Sequence, residues 1–565
     1  MKWSGLLIVH LRNISILLVL SLVLFLPGIE KLPPLDRDEA RFAQASKQML
    51  ETGDYIDIRF QETPRYKKPA GAYWIQAASV QMLSPNDATL IWAYRIPSVI
   101  AAIASVFLTY AIACLFLSST SSLFAGILLA ASFLLNAEAH MAKTDALLLV
   151  SILISQYGLA RIYKGDTVHQ NWLYFWSGIG IGILLKGPIV PLIISLTILG
   201  LWYFDRNMKW VKALRLKAGV LISMAISLPW IIAVQIRSDG SFLRTSIGGD
   251  LLPKLMGGME SHGMPPGYYL LIVMITFWPG SLFICPSLVN IIKTKTEICS
   301  KFLIAWVIPT WILFEIVPTK LPHYILPVYP ALAIMTAKWM SDFKSAQITL
   351  ESKFFIALWF IIGCALIVAS ILLTNLNRDF VTSLTNVISV TVLVEQIKSN
   401  MQQNTGTMII ALTSVIFLLG SCIFLWNGRL KSSVISALCL AGLFFIPLTY
   451  SKIPAMTWAF PSLEVASFLR SSNELKNGLI SIGYHEPSLI FLTGTDTYLT
   501  DIEGGVSKLK ERSHNLALID RSQLQDFRTK AKSMTLKTKV IKTFDSFNYS
   551  KGRVLTLDLL KIKDK

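Results

Sequence analysis

From Ile14 to Tyr450 the sequence alternates long apolar runs with short loops rich in lysine and arginine, and this alternation leaves little choice of fold. Each run approaches the roughly 20 residues that carry an α-helix across a hydrocarbon layer ~30 Å thick. A chain in lipid must satisfy its own backbone hydrogen bonds, and within a single segment only a helix does so. Spans are expected near residues 14–29, 92–117, 121–138, 145–162, 171–185, 188–204, 215–236, 267–291, 301–318, 322–341, 353–374, 407–427 and 432–449. Charged residues make up 15% of the chain, against about 25% in a soluble domain, so a water-soluble enzyme is excluded. The expected fold class is an all-α polytopic membrane protein of about thirteen transmembrane helices. Surface-lying helices are expected in a large first outer loop, and a small α/β soluble domain at the C-terminus.

The net charge of +18 reads as topology, and no nucleic-acid partner is expected. With the N-terminus inside, alternate loops collect Arg161 and Lys164, then Arg206, Lys209, Lys212, Arg215 and Lys217, then Lys293, Lys295 and Lys301, then Lys344 and Lys353, and finally Arg429 and Lys431. Such enrichment marks the inner side. The first apolar run ends without an Ala-x-Ala-like cleavage site and is read as an uncleaved span. Parity then puts the segment 30–90, the turn from Glu138 to Thr144 and everything after Ser451 on the outer face. The six cysteines lie in or beside apolar spans and give neither a disulfide framework nor a zinc spacing.

The expected division is a membrane domain over 1–450, with its outer catalytic loop at 30–90, and an α/β domain over 451–565. In the tail, β-rich runs (Leu479–Tyr484, Asn515–Asp520, Val540–Phe544, Arg553–Leu560) alternate with helical patterns at Val506–Arg512 and Gln523–Ala531. That alternation is the signature of a small α/β fold.

Ionisable residues gather on the outer face. Asp38 and Glu39 open Asp38-Glu39-Ala40-Arg41-Phe42, where Phe42, Ala45 or Ser46, and Met49 recur at helical spacing, so an amphipathic helix lying on the membrane surface is expected. The structural alternative has Asp36 as helix cap and Glu39 closing a capping box. Arg65-Tyr66-Lys67-Lys68-Pro69 reads either as cations snorkelling to headgroup level or as a clamp on a lipid phosphate. Asp145 opens an apolar span, where an ionisable group is functional unless it caps the helix. Lys186, and then Lys320 with His323 and Tyr324, stand at further outer turns. Glu260 and His262 sit in a Gly- and Pro-rich loop able to fold over a site. With Glu39 they are the weak candidates for holding a metal, too few to define one.

Taken in order, Asp38-Glu39-Ala40-Arg41, Lys68-Pro69 running to Tyr73-Trp74, Thr144-Asp145, Lys186-Gly187-Pro188, and Lys320-Leu321-Pro322-His323-Tyr324 with Pro327 resemble the C-type membrane glycosyltransferases. The resemblance is to the bacterial branch that joins protein O-mannosyltransferases with lipid A aminoarabinose transferases. It implies an inverting glycosyltransferase, multi-pass in a bacterial inner membrane, with a cytoplasmic N-terminus and a periplasmic C-terminal domain. The implied donor is a polyprenyl-phosphate-linked sugar, and the implied acceptor is lipid A or another envelope glycan or protein. Lys67 stands where the aminoarabinose transferases carry an acid, which removes one ligand for a divalent metal ion, the one cofactor in question.

Charge then distributes the roles. A departing phosphate calls for cations, here Arg41, Lys67, Lys68, Lys186, Lys320 and His323, while carboxylates (Asp38, Glu39, Asp145) suit the positive charge that develops at sugar C1. Glu260, His262 and Tyr324 complete the set as substrate contacts. The competing expectation is a polytopic transporter or lipid flippase, whose ionisable groups would lie near the bilayer midplane instead of at one face.

Overall fold

The structure, a computed structural model, describes residues 2–343, 350–373, 405–474, 478–511 and 513–562, apart from Thr167, His169 and residues 254–262. Its first half runs α1 (Lys2–Phe25), α2 (Asp38–Thr52), the short hairpin β1–β2 (Arg59–Phe60, Thr63–Pro64), α3 (Gly71–Leu83), α4 (Ile91–Cys114), α5 (Ser119–Ala131), α6 (Phe133–Ala139), α7 (Asp145–Tyr163), α8 (Asn171–Lys186), α9 (Ile189–Asp205) and α10 (Leu216–Arg237). There follow α11 (Tyr268–Thr276), α12 (Ile284–Lys293), α13 (Ile298–Ile316), α14 (Tyr329–Asp342), α15 (Leu350–Leu372), α16 (Thr405–Trp426) and α17 (Leu430–Pro447). Among the described residues eight helices are long and apolar enough to cross a membrane, and ten if each of two bent pairs is one span. The protein is thus a mostly helical, multi-pass membrane bundle.

The departures from ideal spans have local causes. The expected span at 121–138 is the pair α5–α6, bent by 62°, and the one at 267–291 is α11–α12, bent by 116° around a break that holds Pro279. The expected helix at 322–341 begins as a 3-10 turn over Pro322–Val328, because Pro322 and Pro327 cannot supply helical donors, leaving α14 only 14 residues. Helices α7 and α8 touch through small residues: a Cβ on Gly178 would lie 2.3 Å from the Ser155 hydroxyl. Such close backbone approach is how membrane helices gain dispersion without a hydrophobic drive between them.

The C-terminal region forms a five-stranded mixed sheet in the order β4-β3-β5-β7-β6 (β3 Leu479–Ile482, β4 Tyr498–Thr500, β5 Leu516–Asp520, β6 Thr538–Asn548, β7 Arg553–Ile562). Strand β3 pairs in parallel with β4 and β5, whereas β7 pairs antiparallel with both β5 and β6. Helices α18 (Pro461–Ser471), α19 (Pro487–Thr493), α20 (Ile502–Lys510) and α21 (Leu524–Ser533) accompany it. The expected strands and the helices α20 and α21 are present; β4, of three residues, and α19, of seven, are too short to show a pattern.

The polar side of helix α2 is not wetted: α19 of the C-terminal region packs across it, and Gln44, Ser46, Lys47 and Gln48, polar enough to suggest a solvated face, are all buried. Each has found a partner: Gln44 donates to Thr495 Oγ1 (2.7 Å), Ser46 to Gln76 Oε1 (2.9 Å), Lys47 to the Phe491 carbonyl (3.3 Å), and Gln48 to the Gln61 carbonyl (2.8 Å).

Candidate active site

Beneath α2 lies a cleft with two lobes. The larger, of about 430 Å³, is mainly apolar, walled by Leu148, Ile183, Ile189, Leu192, Ile231, Leu243, Ile247, Leu313 and Phe314. The smaller, of about 80 Å³, is ringed by Asp38, Arg41, Arg65, Lys143, Thr144 and Thr319. Seven residues belong to both walls: Lys67, Lys68, Asp145, Lys186, Asp250, His323 and Tyr324. The cleft is therefore graded, from grease through a belt of charge to a polar chamber.

Local sequence explains how the belt is assembled. A Cβ on Gly71 would sit 2.8 Å from the Leu184 carbonyl, so α3 starts hard against the end of α8. That contact brings Lys67 and Lys68, just before α3, beside Lys186, the last residue of α8. Lys68 Nζ is 2.9 Å from Asp250 Oδ2. Lys186 Nζ is 2.5 Å from Asp145 Oδ1 and also stands over the Tyr324 ring at 5.3 Å. Arg65 is held by its bond to the Tyr73 hydroxyl (3.0 Å) and by the Phe42 ring beneath it (5.3 Å).

Asp38 opens into the polar lobe. Burial works against its charge, but Lys143, His323 and Arg65 outweigh that effect and hold its carboxyl below the usual aspartate range. Lys143, in the turn before α7, donates to Glu138 Oε1 at 3.0 Å and lies 3.9 Å from Asp145 Oδ2. Burial disfavours its ammonium too, yet Glu138 and Asp145 prevail and raise it above the ordinary lysine value.

Two expected site residues are placed elsewhere. Glu39, next to Asp38 on α2, faces the other way, since successive helical residues diverge by ~100°. It is buried with all its lone pairs engaged: Arg95 Nε and the Ala142 N–H donate to Oε1, and the Arg95 guanidinium and the Leu35 N–H to Oε2, each at 2.8 Å. Arg95 spends its other donors on the carbonyls of Ile29, Leu32 and Pro33. Glu39 therefore ties the first long loop to α4, and neither lobe is lined by it. Lys320 lines neither lobe either; the backbone there is extended, so Thr319 and Leu321 reach the polar lobe while Lys320 points to the opposite side and donates to the Val317 carbonyl (2.7 Å). Glu260 and His262 lie outside the described residues.

Sequence reading passed over Lys143, Glu138, Asp250 and Arg95. The first two flank Asp145 in a short turn between apolar runs, a charge density that was itself a signal. Arg95, in the first turns of an apolar span, was another. Asp250 follows two glycines and offers none.

Glu138, Asp145 and His323 offer ligand atoms within 4.8 Å of one another, the one such grouping among the described residues. The ammonium groups of Lys143 and Lys186 already stand against its carboxylates. A divalent ion would have to share these oxygens with two fixed positive charges, so the set is a poor metal site.

Residues 67–232, which carry Lys68, Asp145 and Lys186, match the family model of the dolichyl-phosphate-mannose-protein mannosyltransferases. The whole fold superposes on the crystal structure of ArnT from Cupriavidus metallidurans bound to undecaprenyl phosphate, over 98% of either chain, with a TM-score of 0.74 at 17% identity. The chain shares the fold of that protein. Another solved member of this architecture, an oligosaccharyltransferase from Archaeoglobus fulgidus, gives a TM-score of 0.52 over 91% of this chain and 70% of that one, at 11% identity. By sequence the chain is similar to undecaprenyl phosphate-α-4-amino-4-deoxy-L-arabinose arabinosyl transferase 2 of Pseudomonas fluorescens, 26% identical over 54% of this chain and 52% of that protein. The enzyme of the same description from Yersinia pestis is 27% identical over 61% and 62%. The chain spans little more than half the length of these curated relatives.

Proposed function

We propose that this protein moves a sugar from a polyprenyl-phosphate donor to an acceptor of the cell envelope, in the manner named for its relatives. The observation that carries this reading is the grading of the cleft. An apolar lobe, a belt of lysines and a polar chamber with carboxylates match, in order, a lipid tail, its phosphate and the sugar attached to it. Undecaprenyl phosphate in the Cupriavidus metallidurans structure supports the donor class, and so do the relatives' names, which join undecaprenyl phosphate to an aminoarabinose. Mass spectrometry of envelope lipids and glycans from cells with and without the gene tests the reading; identical profiles would sink it.

In this scheme Lys68 and Lys186, with Lys67 and Arg41, take the phosphate. Charge-assisted bonds to phosphate oxygens stabilise the negative charge left when the bond to C1 breaks. Asp38 faces C1 and the incoming nucleophile, and serves as general base where the acceptor is a hydroxyl. Asp145 holds Lys186 and Lys143 in place, and His323 and Tyr324 complete the floor. Lys68→Ala should weaken undecaprenyl phosphate binding by one to two decades, the loss of about 1.5–3 kcal/mol from a charged hydrogen bond. Lys209→Ala, at an exposed position opening a 3-10 turn, should change little. Equal losses at both would mean general membrane attraction. Because lysines already balance the carboxylates, transfer should survive EDTA; abolition by EDTA and recovery with a divalent ion would show that a metal is required.

Among the described residues we count thirteen spans, the two bent pairs and the shorter α8, α9 and α14 included, and assign residues 1–450 to the membrane domain and 451–565 to a periplasmic domain. The N-terminus is then cytoplasmic, in a bacterial inner membrane. Single cysteines at Glu62 and Ser522, both exposed, should react with an impermeant thiol reagent in intact spheroplasts, and those at Lys209 and Lys295 only after lysis. The reverse pattern would invert the topology.

A further inference from the structure

Arg37, the residue before Asp38, has φ 69° and ψ −108°. That is glycine's territory, and a side chain stays there only where its surroundings impose it. Local bonds bracket the residue, the Leu35 N–H to Glu39 Oε2 and the Ala40 N–H to the Leu35 carbonyl, and further restraints come from the far end of the chain. The Asp36 N–H donates to the Tyr549 hydroxyl (2.5 Å), and the Arg37 guanidinium donates to the Ser550 carbonyl (2.5 Å). Both partners sit in the turn between β6 and β7. From α19, the Ser488 N–H donates to Asp36 Oδ1 (3.1 Å). The turn is itself braced, since the buried Glu486 accepts from Asn548 Nδ2 (2.8 Å) and Ser550 Oγ (2.7 Å). Arg37 lines neither lobe of the cleft, so whatever it does for the reaction passes through its neighbour.

Building on the reading of Asp38 as the catalytic carboxylate, we propose that the C-terminal domain positions it. The β6–β7 turn and α19 hold Arg37 in a backbone conformation that aims Asp38 into the polar lobe. Were Arg37 to relax to an ordinary φ, the peptide joining it to Asp38 would rotate and carry the carboxylate off line. Arg37 is thus a positioning residue.

The test uses the full-length protein and two substitutions that remove the same guanidinium. Arg37→Ala keeps a Cβ, so the backbone should relax; envelope product, followed by mass spectrometry, should form about 10- to 100-fold more slowly, as expected for a misplaced catalytic group. Arg37→Gly accepts the same dihedrals without strain and should transfer within a few-fold of wild type. Affinity for undecaprenyl phosphate should be unchanged in both. Wild-type transfer in the alanine variant, or a glycine variant as slow as alanine, would overturn the proposal, the second because the loss would follow the charge and not the backbone. Should the alanine variant fail to accumulate, Tyr549→Phe loosens the grip from the other side, and undiminished transfer there would overturn it equally. Asp38→Asn run alongside separates the two ideas. If it is active, the catalytic reading falls and takes this one with it; if it is dead while the alanine and glycine variants match, only the positioning idea falls.

Discussion

Asp38→Asn should give a protein that inserts, folds and binds undecaprenyl phosphate normally, yet transfers sugar at least ~10²-fold more slowly. Asparagine has nearly the same size and serves about as well as aspartate at a helix start, so α2 has no reason to unravel. What disappears is a negative charge in a chamber where Lys143, His323 and Arg65 were acting on it. Nothing neutral replaces it either as a proton acceptor or as a counter-charge to an electron-deficient C1. Turnover above about a tenth of wild type, measured per molecule of folded protein, would remove Asp38 from the chemistry and move attention to Asp145.

Its neighbour should behave in the opposite way. Glu39→Gln ought to damage the fold and not the chemistry, because it leaves Arg95, fully buried, facing an amide that cannot balance its charge. Breaking a buried ion pair by changing one partner typically costs about 3–5 kcal/mol. The expected result is poor accumulation and a clearly lower midpoint of thermal unfolding in detergent, with residual activity tracking the amount of folded protein. Exchanging both partners, Glu39→Gln with Arg95→Met, should recover part of the loss, since no unpaired charge remains. A stable but inactive Glu39→Gln protein would return Glu39 to the list of catalytic acids.

The contrast between these adjacent acids shows where reading the sequence succeeds and where it stops. Lipid imposes its rule segment by segment, so spans are written locally, in apolar length. Parity then gathers Asp38, Lys68, Asp145, Lys186 and His323 on one face, and the structure brings these same residues around one cleft. Direction on an element is less local. Whether Glu39 or Asp38 faces the cleft depends on Arg95, 56 residues away. Lys320 shows the same limit in an extended segment. Contacts between distant parts leave no pattern at all: Gln44 and Lys47 look like a solvated helix face because nothing nearby announces the domain that covers them. Lys47, which would pass for an innocuous surface lysine, bonds a carbonyl of α19 from a buried position.

That covering has a consequence for how the protein comes into being. Gln44 on α2 and its partner Thr495 are 451 residues apart. At roughly 5–20 residues per second of synthesis, α2 waits on the order of half a minute to a minute and a half for the element that packs on it. Through that interval the bundle can be assembling while Gln44 and Lys47 have nothing packed over them. The polar side of α2 is therefore closed only when the residues around Thr495 have emerged, and a chain released before that point would hold a membrane bundle whose first long loop is left uncovered.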